Sequence, residues 1–339
     1  MIVINGGTFN FTEDGYTPPS ASGTIYNFEY TGFTLNQIWK DDDYVYVVHN
    51  VGLEVIEIDS EEKIAYIEPS FGFNSVWASD SMVFLGTTFS GIKYIEKTCI
   101  SGTVLTPENL ITCLTDYTPP YGITSQNIRY IHGNSDYIMW CTDLGVDVYR
   151  AEPYGYRSFT TVSGAQKCFM TSIGRFYYTT VSGATVSGID YLWSLNRLNN
   201  SLTDWTVPDY SYSTGINILP VGLEINDIFV TESTAANGID NTVFIATSSG
   251  VFVIDEGNLN YNVYLTSTIS GGILTGTSNN FTAIWADADA GLSNGKFYVA
   301  SPAAFSIVDN TVLCDYYTAD HAGAANETLE QNDIVDINI

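Results

Sequence analysis

The sequence predicts an all-β chain assembled from repeated four-stranded units. Three observations carry that expectation. Helical periodicity is almost absent, while Tyr (24), Phe (17) and Gly (29) fill short alternating runs bounded by Gly, Ser, Asn and Pro clusters. A four-strand pattern recurs along the chain, the first feature to seek in long chains of this kind. The two ends supply what the internal copies leave over.

The strands of each unit are termed a, b, c and d. At the N-terminus, Ile2-Val-Ile-Asn-Gly-Gly-Thr-Phe-Asn-Phe reads as a b–c hairpin and Thr24-Ile-Tyr-Asn-Phe-Glu-Tyr as strand d. The first internal copy is Leu35-Asn-Gln-Ile-Trp-Lys, Tyr44-Val-Tyr-Val-Val-His, Gly52-Leu-Glu-Val-Ile and Lys63-Ile-Ala-Tyr-Ile. The second is Phe73-Asn-Ser-Val-Trp, Met82-Val-Phe-Leu-Gly-Thr and Gly91-Ile-Lys-Tyr-Ile, with a longer excursion before Cys113. Asn127-Ile-Arg-Tyr-Ile, Tyr137-Ile-Met-Trp and Gly145-Val-Asp-Val-Tyr make the third. A more divergent copy uses Lys167-Cys-Phe-Met, Arg175-Phe-Tyr-Tyr and Tyr191-Leu-Trp-Ser-Leu. The clearest one runs from Ile225-Asn-Asp-Ile-Phe-Val through Asn241-Thr-Val-Phe-Ile-Ala-Thr and Val251-Phe-Val-Ile-Asp to Asn262-Val-Tyr-Leu-Thr. The last is Phe281-Thr-Ala-Ile-Trp, Lys296-Phe-Tyr-Val-Ala and Ala304-Phe-Ser-Ile-Val. The C-terminal Asn332-Asp-Ile-Val-Asp-Ile-Asn-Ile matches strand a.

Seven four-stranded units of roughly 48 residues predict a seven-bladed β-propeller. One C-terminal strand beside three N-terminal ones closes the ring and removes the sheet edge that a linear array would expose. Two β-sandwiches are the competing architecture, but they do not explain why the termini complete each other. The expected boundaries are a single domain over 1–339, with blades at 34–70, 71–122, 123–163, 164–222, 223–278 and 279–330. The seventh blade joins 1–33 to 331–339.

Leu85-Gly-Thr-Thr-Phe-Ser-Gly-Ile and Ile245-Ala-Thr-Ser-Ser-Gly-Val share a b–c hairpin of the form hydrophobic–Gly/Ala–Thr–x–x–Gly–hydrophobic. Thr142-Asp-Leu-Gly-Val is a partial copy, and Ser301-Pro-Ala-Ala departs by lacking the glycine. On these motifs the chain resembles sensor-type β-propeller repeats, a resemblance that implies the fold and not an activity. Trp-Asp and kelch signatures are missing, and Ser201-Leu-Thr-Asp-Trp is a single degenerate approach to a sialidase box. The five arginines (Arg129, Arg150, Arg157, Arg175, Arg197) do not converge from several blades, as a carboxylate clamp requires.

Charge narrows the partners. With 38 acidic and 11 basic residues the formal net charge is −27, a field that repels phosphate backbones, so no nucleic-acid partner is expected. No apolar run reaches the length of a membrane span. Met-Ile-Val-Ile-Asn lacks the basic and apolar stretches of a signal peptide. Cys99, Cys113, Cys141, Cys168 and Cys314 are unclustered and odd in number, which reads as free thiols rather than a disulfide framework or zinc site.

Propeller topology sorts the loops into two faces. The a–b and c–d loops hold Asp41, Asp42, Asp43, Asp59, Glu61, Glu62, Asp80, Asp136, Glu232, Asp240, Asp255, Glu256, Asp287, Asp289 and Asp309. The b–c and d–a face carries Pro69-Ser-Phe-Gly-Phe, Tyr117-Thr-Pro-Pro-Tyr-Gly, Tyr210-Ser-Tyr-Ser-Thr-Gly and Ser270-Gly-Gly-Ile-Leu. Turn chemistry alone favours Asp in tight loops, but it does not explain why the d–a turns avoid it. The neutral face is therefore the expected contact surface, with Phe71, Tyr117, Tyr121, Tyr210 and Tyr212 as partner-binding residues.

Individual sites are sparse. Asp287-Ala-Asp-Ala-Gly-Leu-Ser-Asn-Gly places Asp287 and Asp289 on alternate positions, which suits calcium; the third acid and bidentate Glu of an EF-hand are lacking, and a solvated turn competes. No other cofactor is expected. His49, His132 and His321 share no metal-ligand spacing and read as structural or surface residues. Trp39, Trp77 and Trp285 recur on strand a, as packing between blades requires. Strand a offers the amides Asn36, Asn74, Asn127, Asn226 and Asn332 at a channel mouth, none of them a general base.

The expected function is non-enzymatic: a rigid binding platform. The Tyr/Thr/Ser/Asn/Gly-rich, lysine-poor composition looks like that of tailed-bacteriophage virion proteins. That likeness implies a virion location, on capsid, tail or fibre, with other structural proteins or host glycans as partners. The alternative is a soluble or exported glycan-binding or sensor propeller, cytoplasmic or secreted without a classical signal. A calcium-dependent hydrolase or lyase using the central channel comes third.

Overall fold

The computed structural model describes residues 2–5, 26–28, 35–60, 62–100, 107–119, 122–150, 155–160, 164–172, 176–181, 190–195, 210–211, 224–232, 241–255, 261–264, 280–286, 290–291, 295–301, 304–309 and 334–337. Apart from two single-turn 3-10 helices, their regular structure is β, in small sheets.

The strands, in chain order, are β1 (Ile2–Asn5), β2 (Tyr26–Phe28), β3 (Leu35–Lys40), β4 (Tyr44–His49), β5 (Gly52–Glu57), β6 (Lys63–Ile67), β7 (Phe73–Ala78), β8 (Met82–Thr87) and β9 (Ile92–Glu96). Next come β10 (Glu108–Asn109), β11 (Thr115–Tyr117), β12 (Ile128–Gly133), β13 (Tyr137–Thr142), β14 (Gly145–Arg150), β15 (Gly155–Thr160), β16 (Ala165–Met170), β17 (Phe176–Val181), β18 (Asp190–Leu195) and β19 (Tyr210–Ser211). Then follow β20 (Ile225–Thr231), β21 (Thr242–Thr247), β22 (Gly250–Asp255), β23 (Tyr261–Tyr264), β24 (Ala283–Ala286), β25 (Lys296–Ser301), β26 (Ala304–Asp309) and β27 (Ile334–Ile337). The 3-10 turns are η1 (Lys97–Cys99) and η2 (Leu110–Cys113), on either side of β10.

The chain divides into two compact units, Phe33–Glu224 and Met1–Gly32 with Ile225–Ile339. In the first, the sheets run β3-β4-β5-β6, β7-β8-β9-β11, β12-β13-β14-β15 and β16-β17-β18-β19, each an antiparallel meander. β10 adds to β6 in parallel, so part of the excursion expected before Cys113 returns to the preceding sheet. In the second unit, β20-β21-β22-β23 and β24-β25-β26 are meanders, and β27 pairs antiparallel with β1. β2 lies beside β1 in parallel, with no strand between them. The sequence reading placed a c strand there; Phe9–Phe11 lies outside the described residues. A parallel pairing needs a connection of a dozen or more residues, which segment 6–25 supplies.

Local chemistry explains the regularity. The a–b turns close on a short polar side chain: Asp41 Oδ1 accepts from the Asp43 and Tyr44 amides, Ser79 Oγ from Met82, and Asn134 Oδ1 from Asp136 and Tyr137. The b–c turns close on a threonine. Thr87, Thr142 and Thr247 each donate a hydroxyl to the carbonyl of the following Gly91, Gly145 or Gly250 and accept an amide from within the turn. In the first sheet His49 takes the threonine's place, its Nδ1 accepting from Val51 and Gly52. Gly91 sits at φ 68, a conformation that costs glycine nothing.

First strands carry a repeated β-bulge. The register slips at the second residue of β3, β7, β12 and β20, and near the start of β16. β27 has the same slip, between Ile334 and Asp336. The core lies between sheets. Val48, Val55, Ile67, Phe73, Val83 and Leu85 join the first two sheets, and Trp77, Phe84, Ile128, Ile131 and Trp140 join the next pair. Met139, Val148, Cys168 and Tyr178 continue the series, and Phe244, Val253, Phe281 and Phe297 repeat it in the second unit. Burial of such side chains contributes about 1.5–3 kcal/mol each.

Candidate functional site

Three of the strand a amides, Asn36, Asn74 and Asn226, are bulge residues whose side chains bond the next sheet. Asn36 Nδ2 donates to the Phe73 carbonyl at 2.6 Å, Asn74 to Ile128 at 2.9 Å and Asn226 to Phe281 at 2.6 Å. In the third sheet Arg129 holds the position instead, with Nη1 3.3 Å from the Ala165 carbonyl. Asn127 falls before β12 and lies outside this series, and Asn332 is outside the described residues. One residue further on, Gln37, Ser75 and Asp227 accept from the amides of Val76, Ile131 and Ile284 at 3.0, 2.6 and 3.0 Å.

Further along, the first strands carry rings. Trp39 meets His132 edge-on at 5.4 Å, and His132 meets Phe169 at 4.5 Å. His132 Nδ1 accepts from the Met170 amide, and burial holds its pKa down to about 3. Burial and the nearby Lys63 hold His49 down to about 4. Both rings are structural acceptors, as the sequence suggested; His321 lies outside the described residues. Among the described residues no group of three or more His, Cys, Asp or Glu side chains is placed to hold a metal ion. No described helix is long and apolar enough to cross a membrane.

The acids of the a–b and c–d loops divide into two roles. Asp41 is consumed internally: burial would raise its carboxyl, but hydrogen bonds from Lys97, Tyr44, Asp43 and Tyr46 outweigh that and hold it below the usual value. Asp42, Asp43, Asp59, Glu62, Asp80 and Asp136 are exposed. Asp287 and Asp289 lie outside the described residues.

The residues expected to meet a partner separate in the same way. Phe71 is half-buried, edge-on to Phe73 at 5.9 Å, with Lys93 Nζ 5.4 Å above its ring. Tyr117 sits on the outer strand β11 rather than in a loop. It packs against Phe84 at 5.3 Å, Tyr94 and Tyr149 at 6.2 Å and Trp140 at 6.4 Å, stitching two sheets together. Tyr210 also belongs to a strand, β19. Both strands are too short for an alternation pattern to reveal. Tyr121 and Tyr212 lie outside the described residues.

A different pair stands out on the same loop face. Phe89 is 84% exposed and Leu144 46% exposed, each at the tip of a b–c hairpin, in consecutive sheets. The connecting segment 122–127 ties the two tips together. Gly91 N donates to the Gln126 carbonyl at 2.9 Å, and the Ser125 hydroxyl donates to Asp143 Oδ1 in the other hairpin. Thr124 anchors the segment below, its amide donating to Asp147 Oδ2 at 3.0 Å. Asp147 is wholly buried and also accepts Trp140 Nε1 at 2.9 Å. The result is a firmly supported, nearly uncharged rim with an aromatic and an aliphatic side chain in solvent. Sequence reasoning looked for partners in the long d–a loops and passed over these tips. The available signal was the brevity of Thr88-Phe-Ser-Gly, a turn too tight to fold a phenyl ring back onto the sheet.

No protein-family model matches the chain, and no curated protein matches it. Solved structures do. The extracellular domain of a B. thetaiotaomicron protein, described as a one-component system, superposes with a TM-score of 0.58 at 12% identity over 91% of this chain. A second structure of that domain, described as a hybrid two-component system, gives 0.58 at 13% over 92%. This chain spans 39% of the length of those two. The β-propeller domain of Cps50 (Swd1) from Myceliophteria thermophila gives 0.51 at 12% identity, covering 78% of this chain and 80% of that one. The likeness establishes an all-β fold of the β-propeller type.

Proposed function

We propose that this chain is a non-enzymatic recognition propeller of the sensor type, whose b–c hairpin face takes a neutral glycan. The observation that carries the reading is the pair of solvent-facing tips, Phe89 and Leu144, braced by segment 122–127 on a nearly uncharged rim. An exposed ring on a rigid turn offers a stacking surface at little entropic cost on binding. A net charge of −27 disfavours anionic ligands. The extracellular sensor domains among the structural neighbours favour this reading over a virion component, for which only the composition spoke. The seven sheets are taken as seven blades of one ring, with β27 as the closing strand a.

The test is retention of the chain on an array of neutral and anionic glycans beside a Phe89→Ser/Leu144→Ser variant. Neutral glycans should retain the parent chain, and the variant should bind at least ~10-fold more weakly, about 1.4 kcal/mol. Equal retention of both, or migration of the chain with megadalton particles in a source lysate without glycan retention, overturns the reading.

A further inference from the structure

Four of the five cysteines, dispersed in sequence, fall into two pairs in space. Cys141 and Cys168 are wholly buried between neighbouring sheets, thiol to thiol. Cys99 and Cys113 also lie side by side, but both are half-buried and sit at the rim of the cluster joining the first two sheets. They mark the two ends of a strap. Cys99 ends η1, just after β9, and Cys113 ends η2, just before β11. Between them β10 leaves its own sheet to pair with β6 of the preceding one, Glu108 opposite Ala65 and Asn109 opposite Tyr66. Leu110 follows it into the shared core.

We propose that Cys99 and Cys113 form a redox-closable pair, converted to a disulfide by exchange with a small-molecule disulfide such as oxidised glutathione, which locks this strap across two sheets. The step balances without further reagents. One of the two cysteines loses its proton and attacks one glutathione sulfur, the glutathione disulfide breaks, and the first glutathione leaves as a thiolate that takes up that proton. The other cysteine then gives up its proton and attacks the protein sulfur of the mixed disulfide, expelling the second glutathione, which takes that proton. Two protein thiols are oxidised and one external disulfide is reduced to two thiols.

The contact with Cys113, with burial, pushes the Cys99 thiol up to about 11. With the two sulfurs side by side from the start, whichever reacts first is resolved by the other. The inner pair has no such route, because glutathione cannot reach two sulfurs with no solvent exposure. Its burial pushes the Cys141 thiol up as well.

Treatment of the full chain with oxidised glutathione at pH 8, followed by peptide mapping, tests this. The expected product has lost the mass of two hydrogen atoms and links the Cys99 and Cys113 peptides, leaving Cys141 and Cys168 as thiols. Closing a loop of about 15 residues should raise Tm by ~5 °C, reversibly with dithiothreitol. Cys99→Ser and Cys113→Ser should each stop at a stable glutathione adduct on the remaining cysteine of the pair. Persistence of both thiols, a stable adduct on the parent chain, or linkage of either cysteine to Cys314 overturns the proposal.

Discussion

Asn36 reaches out of β3 and donates its Nδ2 hydrogen to the carbonyl of Phe73, 2.6 Å away at the start of the next sheet's first strand. The bond exists because the β-bulge takes Asn36 out of the β3–β4 ladder, leaving its side-chain amide to reach the next sheet. Asn226 repeats it on Phe281 in the other unit. A buried carbonyl deprived of its donor loses the net bond and keeps part of the desolvation cost, roughly 1–3 kcal/mol. Asn36→Leu and Asn226→Leu should each lower the urea unfolding free energy by that amount. Asn36→Asp, which returns no donor, should be no better. A variant within about 0.3 kcal/mol of the parent, half of RT, would show that the link is incidental.

Acid should destabilise the chain through two histidines. His132 is held down to about 3 by burial, and His49 to about 4 by burial and Lys63. In the unfolded chain both revert to the ordinary value near 6.5. Between those values the unfolded state binds more protons, so stability is complete above pH 6.5 and falls as the pH drops below it. At pH 4 the loss is at most ~3 kcal/mol per ring. His132→Asn keeps an acceptor facing the Met170 amide and removes the titration. Its stability should decline by roughly half as much as the parent's between pH 7 and pH 4.5, read by urea denaturation. Parallel declines would place the acid sensitivity in the carboxylates instead.

What the sequence made legible follows from the strength of local patterns. The b and c strands carry apolar runs such as Val83-Phe-Leu and Val243-Phe-Ile because both faces pack against sheets, and those runs announced every copy. The Gly/Ala-Thr-x-x-Gly hairpin was equally visible, and the Thr87 and Thr247 hydroxyls give its reason. The asparagines were seen but misread. A strand drawn without its bulge points Asn36 and Asn74 at an axis, whereas the bulge spends them on the next sheet. Tyr117 failed for a different reason, since a three-residue strand leaves no alternation and its ring contacts are made across two sheets. The Cys99–Cys113 contact depends on a strap crossing between sheets, which no spacing rule encodes.

The closing strand provides the most direct test of the architecture. The sequence comparison matched Asn332-Asp-Ile-Val to Asn226-Asp-Ile-Phe, but the register sets the alignment three residues later. Ile4 faces Ile334, Val3 faces Asp336 and Ile2 faces Ile337. The slip between Ile334 and Asp336 corresponds to the one at Asn226, which puts Asp336 where Asp227 stands in β20. Removing 331–339 therefore strips β1 of its ladder partner. β27 also lies against β24 and β25, so the loss extends to the neighbouring sheet. The truncated chain should unfold at least ~5 °C below the intact one. Adding the free peptide 331–339 in excess should restore part of that difference, because a strand donated in trans pairs with the same exposed edge. Equal melting temperatures for the truncated and intact chains would remove β27 from the structural core and, with it, the seven-blade closure.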